Sequence, residues 1–149
     1  MDEIAEAIAG ILGLSEDLAR VFEHPPESVS DYPCAIVLEV NGREERAGIG
    51  GLWEANATAR VWILARPRRN LPEDITAARP WVGRLLTLFE MHDELAVEED
   101  DEPLGEITRL AWKLGNLEYA GIQHAGVELE IEMRLDRQVV YGCGPVAVG

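Results

Sequence analysis

The sequence predicts an α+β fold: an antiparallel or mixed β-sheet flanked by two helices, in a single domain over residues 1–149. Three observations carry this. Apolar residues recur at helical spacing in two windows, near the N-terminus and over 73–92. Runs rich in β-branched and aromatic residues lie between and after those windows. The resulting order, α-β-β-β-α-β-β, groups strands beside helices rather than alternating them one by one.

The first helix is expected over 2–13, where Ile4, Ile8, Ile11 and Leu12 form one stripe, Asp2 and Glu3 sit at the positive end, and Gly13 stands at the stop. "EHPPESVSDYP" at 23–33 carries three prolines and polar turn formers, so it is an ordered loop. "CAIVLEV" from Cys34 is strand-like, and Asn41-Gly42 after it is the strongest short hairpin signal in the chain. The following glycine-rich arm, about 42–56, is only weakly strand-like. "TARVWILA" at 58–65 is apolar on both faces, as a covered central strand should be. Helical spacing returns through Ile75, Ala78, Val82, Leu85 and Phe89, with Pro80 bending or restarting the helix. Two strands close the pattern. In the first, Leu110, Trp112 and Leu114 face away from Arg109, Ala111 and Lys113. In the second, Val127 to Leu135, apolar and charged residues alternate strictly. Gly115-Asn116 and Gly121 supply turns or bulges between them. A flexible tail is expected over about 137–149.

A chain of 149 residues can bury a core without staples. No apolar run approaches a membrane span, and the acidic N-terminus lacks the basic region of a secretory signal. Cys34 and Cys143 make no disulfide framework; a single bridge stays open, and a reduced setting is the default. Thirteen basic against 28 acidic side chains give a net charge of −15, which argues against a surface that grips nucleic acid. The one basic cluster, "ARPRRN" at 65–70, fits a polar turn.

The residues that could carry chemistry are mostly acids. Glu128, Glu130 and Glu132 stand in a row, with alternate residues about 6.6 Å apart on a strand, a spacing glycoside hydrolysis can use. A catalytic acid also needs a desolvated pocket, which nothing in the sequence supplies. Arg109 and Lys113 can lie across from the row, so cross-strand charge pairing is a sufficient use for it. Five consecutive acids, Glu98, Glu99, Asp100, Asp101 and Glu102, lack the glycine that folds a calcium loop round its ion and are expected as an extended, solvated tip. His24, His92 and His124 share no ligand spacing, and no zinc, phosphate-cradling, dinucleotide or nucleophile-elbow motif is present. Of the four tryptophans, Trp62, Trp81 and Trp112 are assigned to the core. Trp53, in the glycine-rich arm, is the candidate anchor for a partner's pocket.

The order of "VFEHPPESVSDYPCAIV", a glycine-rich arm, "ARVWILARPRRNLPEDITAARPWVGRLLTLFE" and "GNLEYAGIQHAGVELEIEMRL" resembles small structural proteins of long-tailed bacteriophages. The likeness is nearest to the tail terminator (tail completion) group, with the head–tail joining proteins close behind, and covers roughly residues 18–135. It is a pattern of elements rather than a catalytic signature, and the acidic run 98–102 and the tail after Arg137 have no counterpart in it. The resemblance implies a homo-hexameric ring that caps the tail tube, ends its growth and joins the tail to the head connector. It implies no enzyme and no cofactor. The partners are other copies of the chain, the tail tube protein and connector proteins, in a virion tail or neck assembled in the bacterial host cytoplasm, with DNA passing through unbound and no membrane involved. On this view Gly48, Gly50, Gly51 and Trp53 reach a neighbouring subunit, and Glu98–Glu102 or the Glu128/Glu130/Glu132 row lines or rims the lumen. A connector or neck protein is the alternative, and a small hydrolase using the glutamate row with His124 is the reading from another class.

Overall fold

The computed structural model describes residues 2–47, 52–98 and 101–135. In chain order the elements are α1 (Asp2–Leu12), β1 (Arg20–Phe22), β2 (Cys34–Ala47), β3 (Leu52–Pro67), α2 (Leu71–Ala78), α3 (Pro80–Met91), β4 (Gly105–Tyr119) and β5 (Ile122–Leu135). The strands form one five-stranded sheet in the order β1-β2-β3-β5-β4. β1 runs parallel to β2 and every other pairing is antiparallel, so the sheet is mixed and the fold is α+β.

Two long hairpins, β2–β3 and β4–β5, lie side by side and join along β3 and β5. The helices cover one face. Ile4, Ile8, Ile11 and Leu12 of α1 are fully buried, as the stripe requires, and meet Val61, Ile63, Val127, Leu129 and Ile131 from the sheet together with Trp81, Leu85 and Phe89 of α3. The strict alternation of β5 explains its place: each odd residue from Val127 to Leu135 is buried in this core. Pro80 breaks the second helical stretch in two. It cannot donate to the preceding turn, so α2 ends at Ala78 and α3 restarts at Pro80.

The basic segment 65–70 is a turn organised by Asp74, which is 1% exposed. Its carboxylate accepts hydrogen bonds from the backbone N–H groups of Arg69 and Asn70 at 2.8 and 2.9 Å and from Arg66 Nε at 2.6 Å. The Arg69 N–H bond, opposed by burial and helped by Arg66 and Asn70, holds the carboxyl below the ordinary range.

The opposite face carries a smaller cluster under the 23–33 loop. Cys34, Ile36, Leu64 and Leu117 pack there against Phe22, Val29, Tyr32, Leu38, Trp62 and Tyr119. The Tyr119 hydroxyl donates to the Pro26 carbonyl and pins the loop to the sheet. Burial pushes the Cys34 thiol up to about 11, which removes the thiolate that reactivity needs.

Four expectations are corrected. Asn41-Gly42 makes no turn: the two residues lie inside β2, paired with Thr58 and Ala57, and the ladder continues to Ala47 opposite Leu52. The described parts of the arm, 42–47 and 52–56, are therefore paired with each other. Gly115 and Asn116 likewise lie within β4, and the chain reverses at Ala120-Gly121, between the paired Tyr119 and Ile122. Trp112 is 52% exposed rather than core, because it stands on the edge strand, past the helix layer. Glu98 and Asp101 are not extended: the Asp101 N–H donates to the Glu98 carbonyl and the Asp101 carboxylate accepts the Glu98 N–H, closing a turn. The short β1 has no forecast in its sequence, being three residues long and without alternation.

Both residues of the Ala120-Gly121 turn have positive φ, 51° and 79°, the geometry of a two-residue hairpin that favours Asn-Gly. Alanine at the first position is strained. Ala120→Asn is expected to gain about 1 kcal/mol of stability, measured as a rise in the urea midpoint at unchanged slope.

Candidate functional site

On the sheet face away from the helices, each glutamate of the row is half-buried and aligned with neighbours on both sides. Glu128 stands between Trp62 and Lys113, Glu130 between Arg60 and Ala111, and Glu132 between Thr58 and Arg109. The basic residues Arg109 and Lys113 thus lie across from the row, one strand away. Glu128 Oε2 accepts the Trp62 indole N–H at 2.8 Å, and Glu132 Oε2 pairs with an Arg109 guanidinium nitrogen at 3.4 Å. Arg60, opposite Glu130, reaches Glu39 on β2 at 3.2 Å. A charged stripe therefore crosses four strands, with acids in the middle and Arg60, Arg109 and Lys113 to either side.

The stripe has the chemistry of a surface. The three carboxylates follow one another along a strand on an open face and do not converge on a point. His124 is four residues from Glu128, a distance of about 13 Å along the strand, and it is buried under the loop. Its Nε2 shares a hydrogen with the Tyr32 hydroxyl at 2.8 Å. A cleft of about 590 Å³ lies elsewhere, between α3 and the segment 15–18, lined by Trp81, Arg84, Leu88 and Met91. No group of three His, Cys, Asp or Glu side chains is arranged to hold a metal among the described residues.

His124 links the 23–33 loop to the sheet. Burial holds its imidazole below the ordinary value. The folded protein therefore declines a proton that the unfolded chain accepts. The stability tied to this group is complete above about pH 6.5 and is lost as the pH falls toward the depressed folded value, with a slope of up to ~1.4 kcal/mol per pH unit. Urea midpoints at pH 7.5 and 5.5 measure the loss, and His124→Gln should flatten it.

A second feature is the open edge. β4 has 15 residues and, among the described residues, pairs only with β5. On its helix side Leu110 and Leu114 are half-buried and Trp112 is exposed, beside a cleft of about 460 Å³ that also takes in Leu86 and Phe89. This apolar strip escapes notice in the sequence because its alternation is that of a core strand. Only the strand's place at the sheet edge leaves it uncovered.

Trp53 lies near the end of the β2–β3 hairpin, 46% exposed and paired in register with Arg46, whose guanidinium sits 5.1 Å from its ring centre. Gly48, Gly50 and Gly51, as well as Glu99, Asp100, Cys143 and the tail 137–149, lie outside the described residues. Glu98, Asp101 and Glu102 are exposed in the turn before β4, away from the Glu128/Glu130/Glu132 stripe in the sequence and on no shared strand. The sites named from the sequence thus form separate features: a stripe, a hairpin end and an acidic turn. No helix among the described residues is long and apolar enough to cross a membrane. No protein-family model matches this chain, and no curated protein matches its sequence.

Proposed function

We propose that this chain is a structural protein of a long-tailed phage that assembles, six copies at a time, into a ring capping the tail tube and meeting the head connector. The observation that carries this is the sheet's shape: a long edge strand open to pairing, with an exposed tryptophan beside it, on a domain whose carboxylates form a surface stripe. Open edges recruit strands from other chains, and contacts that repeat head to tail close into rings when the rotation allows.

The ring geometry is consistent with a conduit. Six copies contributing four long strands each, about 4.8 Å apart, give a backbone diameter of roughly 37 Å before strand tilt widens it. With the helix layer outward, the face bearing Glu128, Glu130 and Glu132 lines the inside. Six copies at −15 carry −90, a charge that repels phosphate and lets DNA slide past without adhering.

Two measurements test this. Light scattering should give a discrete hexamer, alone or once tail tubes are added. Glutamine at positions 128, 130 and 132 should leave the fold intact while slowing DNA delivery or making the ring retain DNA. Unchanged infectivity together with unchanged DNA binding would remove the lumen role.

A further inference from the structure

The ring reading leaves open which surfaces meet, and the sheet narrows the choice. β1 covers β2 only at Cys34, Ala35 and Ile36. Beyond that point, no backbone hydrogen bond joins the outward side of Glu39–Arg43 to another segment among the described residues. Among the described residues the sheet therefore has two open margins, the Glu39–Arg43 side of β2 and β4 beyond Ile107, whose N–H is taken by the Asp93 carbonyl. Resting on the ring reading, we propose that each copy pairs its β4 with the outward edge of the next copy's β2, antiparallel, so that one sheet runs unbroken around the ring.

Three independent features fit. The first is polarity. β2, β3, β5 and β4 alternate in direction, so a neighbour turned about an axis along the strands presents a β2 that runs opposite to β4.

The second is the pleat. Tyr119 and Ile122 flank a two-residue turn and so form its hydrogen-bonded pair. Alternation then points the N–H and C=O groups of Leu110, Trp112 and Leu114 outward. The Ile107 N–H, bonded outside the sheet to the Asp93 carbonyl at 2.7 Å, has the outward sense expected before the bulge at 107–109. Following the register through β5 and β3 gives Val40 and Gly42 the outward groups on β2. On β4 these residues, and on β2 Val40, have their side chains on the helix side, and Gly42 shares that face. Ladder bonds between the two edges therefore join helix face to helix face. Leu110, Trp112 and Leu114 are then covered on the side where the neighbour carries Val40 and α1.

The third is charge. On the other face β4 presents Glu106, Arg109 and Lys113, and β2 presents Glu39 together with Arg43 and Glu45, which pair with each other at 2.7 Å. Glu39 is thus the acid of β2 that the basic residues of β4 meet across the join.

Disulfide trapping tests the pairing in the full chain carrying Cys143→Ala, which leaves only the buried Cys34. Ala111→Cys is combined in turn with Asn41→Cys, Arg43→Cys and Glu45→Cys, all on the face away from the helices, and with Val40→Cys and Gly42→Cys, which point to the helix side. Mild oxidation should link one of the first three pairs into a ladder of chains on a non-reducing gel and neither of the last two. A matching thermal melt shows that each variant has folded. A ring-sized mass with no ladder, or a ladder from Val40→Cys or Gly42→Cys alone, overturns this pairing and leaves the ring standing. A monomer at every concentration, with and without tail tubes, and no ladder overturns both.

Discussion

Gly126→Ala is expected to cost about 3 kcal/mol or more, lowering the melting temperature by roughly 6–12 °C for a chain of this size. Gly126 is buried on β5, facing Leu64 of β3 and Gly115 of β4. A Cβ there would enter the shell of the Ile63 carbonyl oxygen, and the Leu117 side chain would press on it at 3.1 Å. The first obstacle is backbone inside the central ladder, which cannot swing aside as a side-chain end can. Gly115, directly across the ladder, is the matched control. Nothing lies within 4 Å of a Cβ added to it. Gly115→Ala should therefore be neutral or gain up to about 0.5–1 kcal/mol from reduced freedom of the unfolded chain. Urea titrations of the two variants settle the comparison, and equal losses would contradict the packing described for Gly126.

Ile131→Ala is expected to cost about 2–5 kcal/mol, whereas Glu130→Ala, one residue away, should stay within about 0.5 kcal/mol of the parent. Ile131 is fully buried between Ala59 and Leu110 in the helix-covered core, so truncation leaves a void that surrounding strands cannot close. Glu130 projects from the other face, and among the described residues no hydrogen bond or ion pair to it is seen. The contrast separates the two jobs of one strand. From Val127 to Leu135 the odd residues hold the fold together, while Glu130 on the other face is free to serve an outside purpose. A loss at Glu130 comparable to that at Ile131 would mean that the stripe is structural.

The parts of the fold that were legible in the sequence are those where a periodic pattern meets a single environment. The Ile4–Leu12 stripe, the break at Pro80 and the alternation from Val127 to Leu135 each depend on local geometry alone. Errors arose where tertiary pairing overrode a local preference. Asn41-Gly42 favours a turn only if the flanking arms gain by folding back there, and here β2 gains a longer ladder against β3 by running straight through. Trp112 and Trp62 have similar surroundings in sequence, but one falls on the sheet edge and the other on its middle strand. No window of residues encodes that difference. The candidate surface was legible by half: the glutamate row and its basic partners follow from alternation, while the open apolar edge beside Trp112 requires knowing the strand order.

The docking of two hairpins along β3 and β5 also shapes how the chain is made. Each hairpin closes over short sequence separations, but β3 meets its inner neighbour only after β5 exists. At about 5–20 residues per second, synthesis of the stretch from Arg68 to Leu135 takes roughly 3–14 s. Throughout that interval a strand rich in Val, Ile, Leu and Trp has one bare side during translation. Aggregation, if it occurs, should begin in this window, well before any finished molecule meets another.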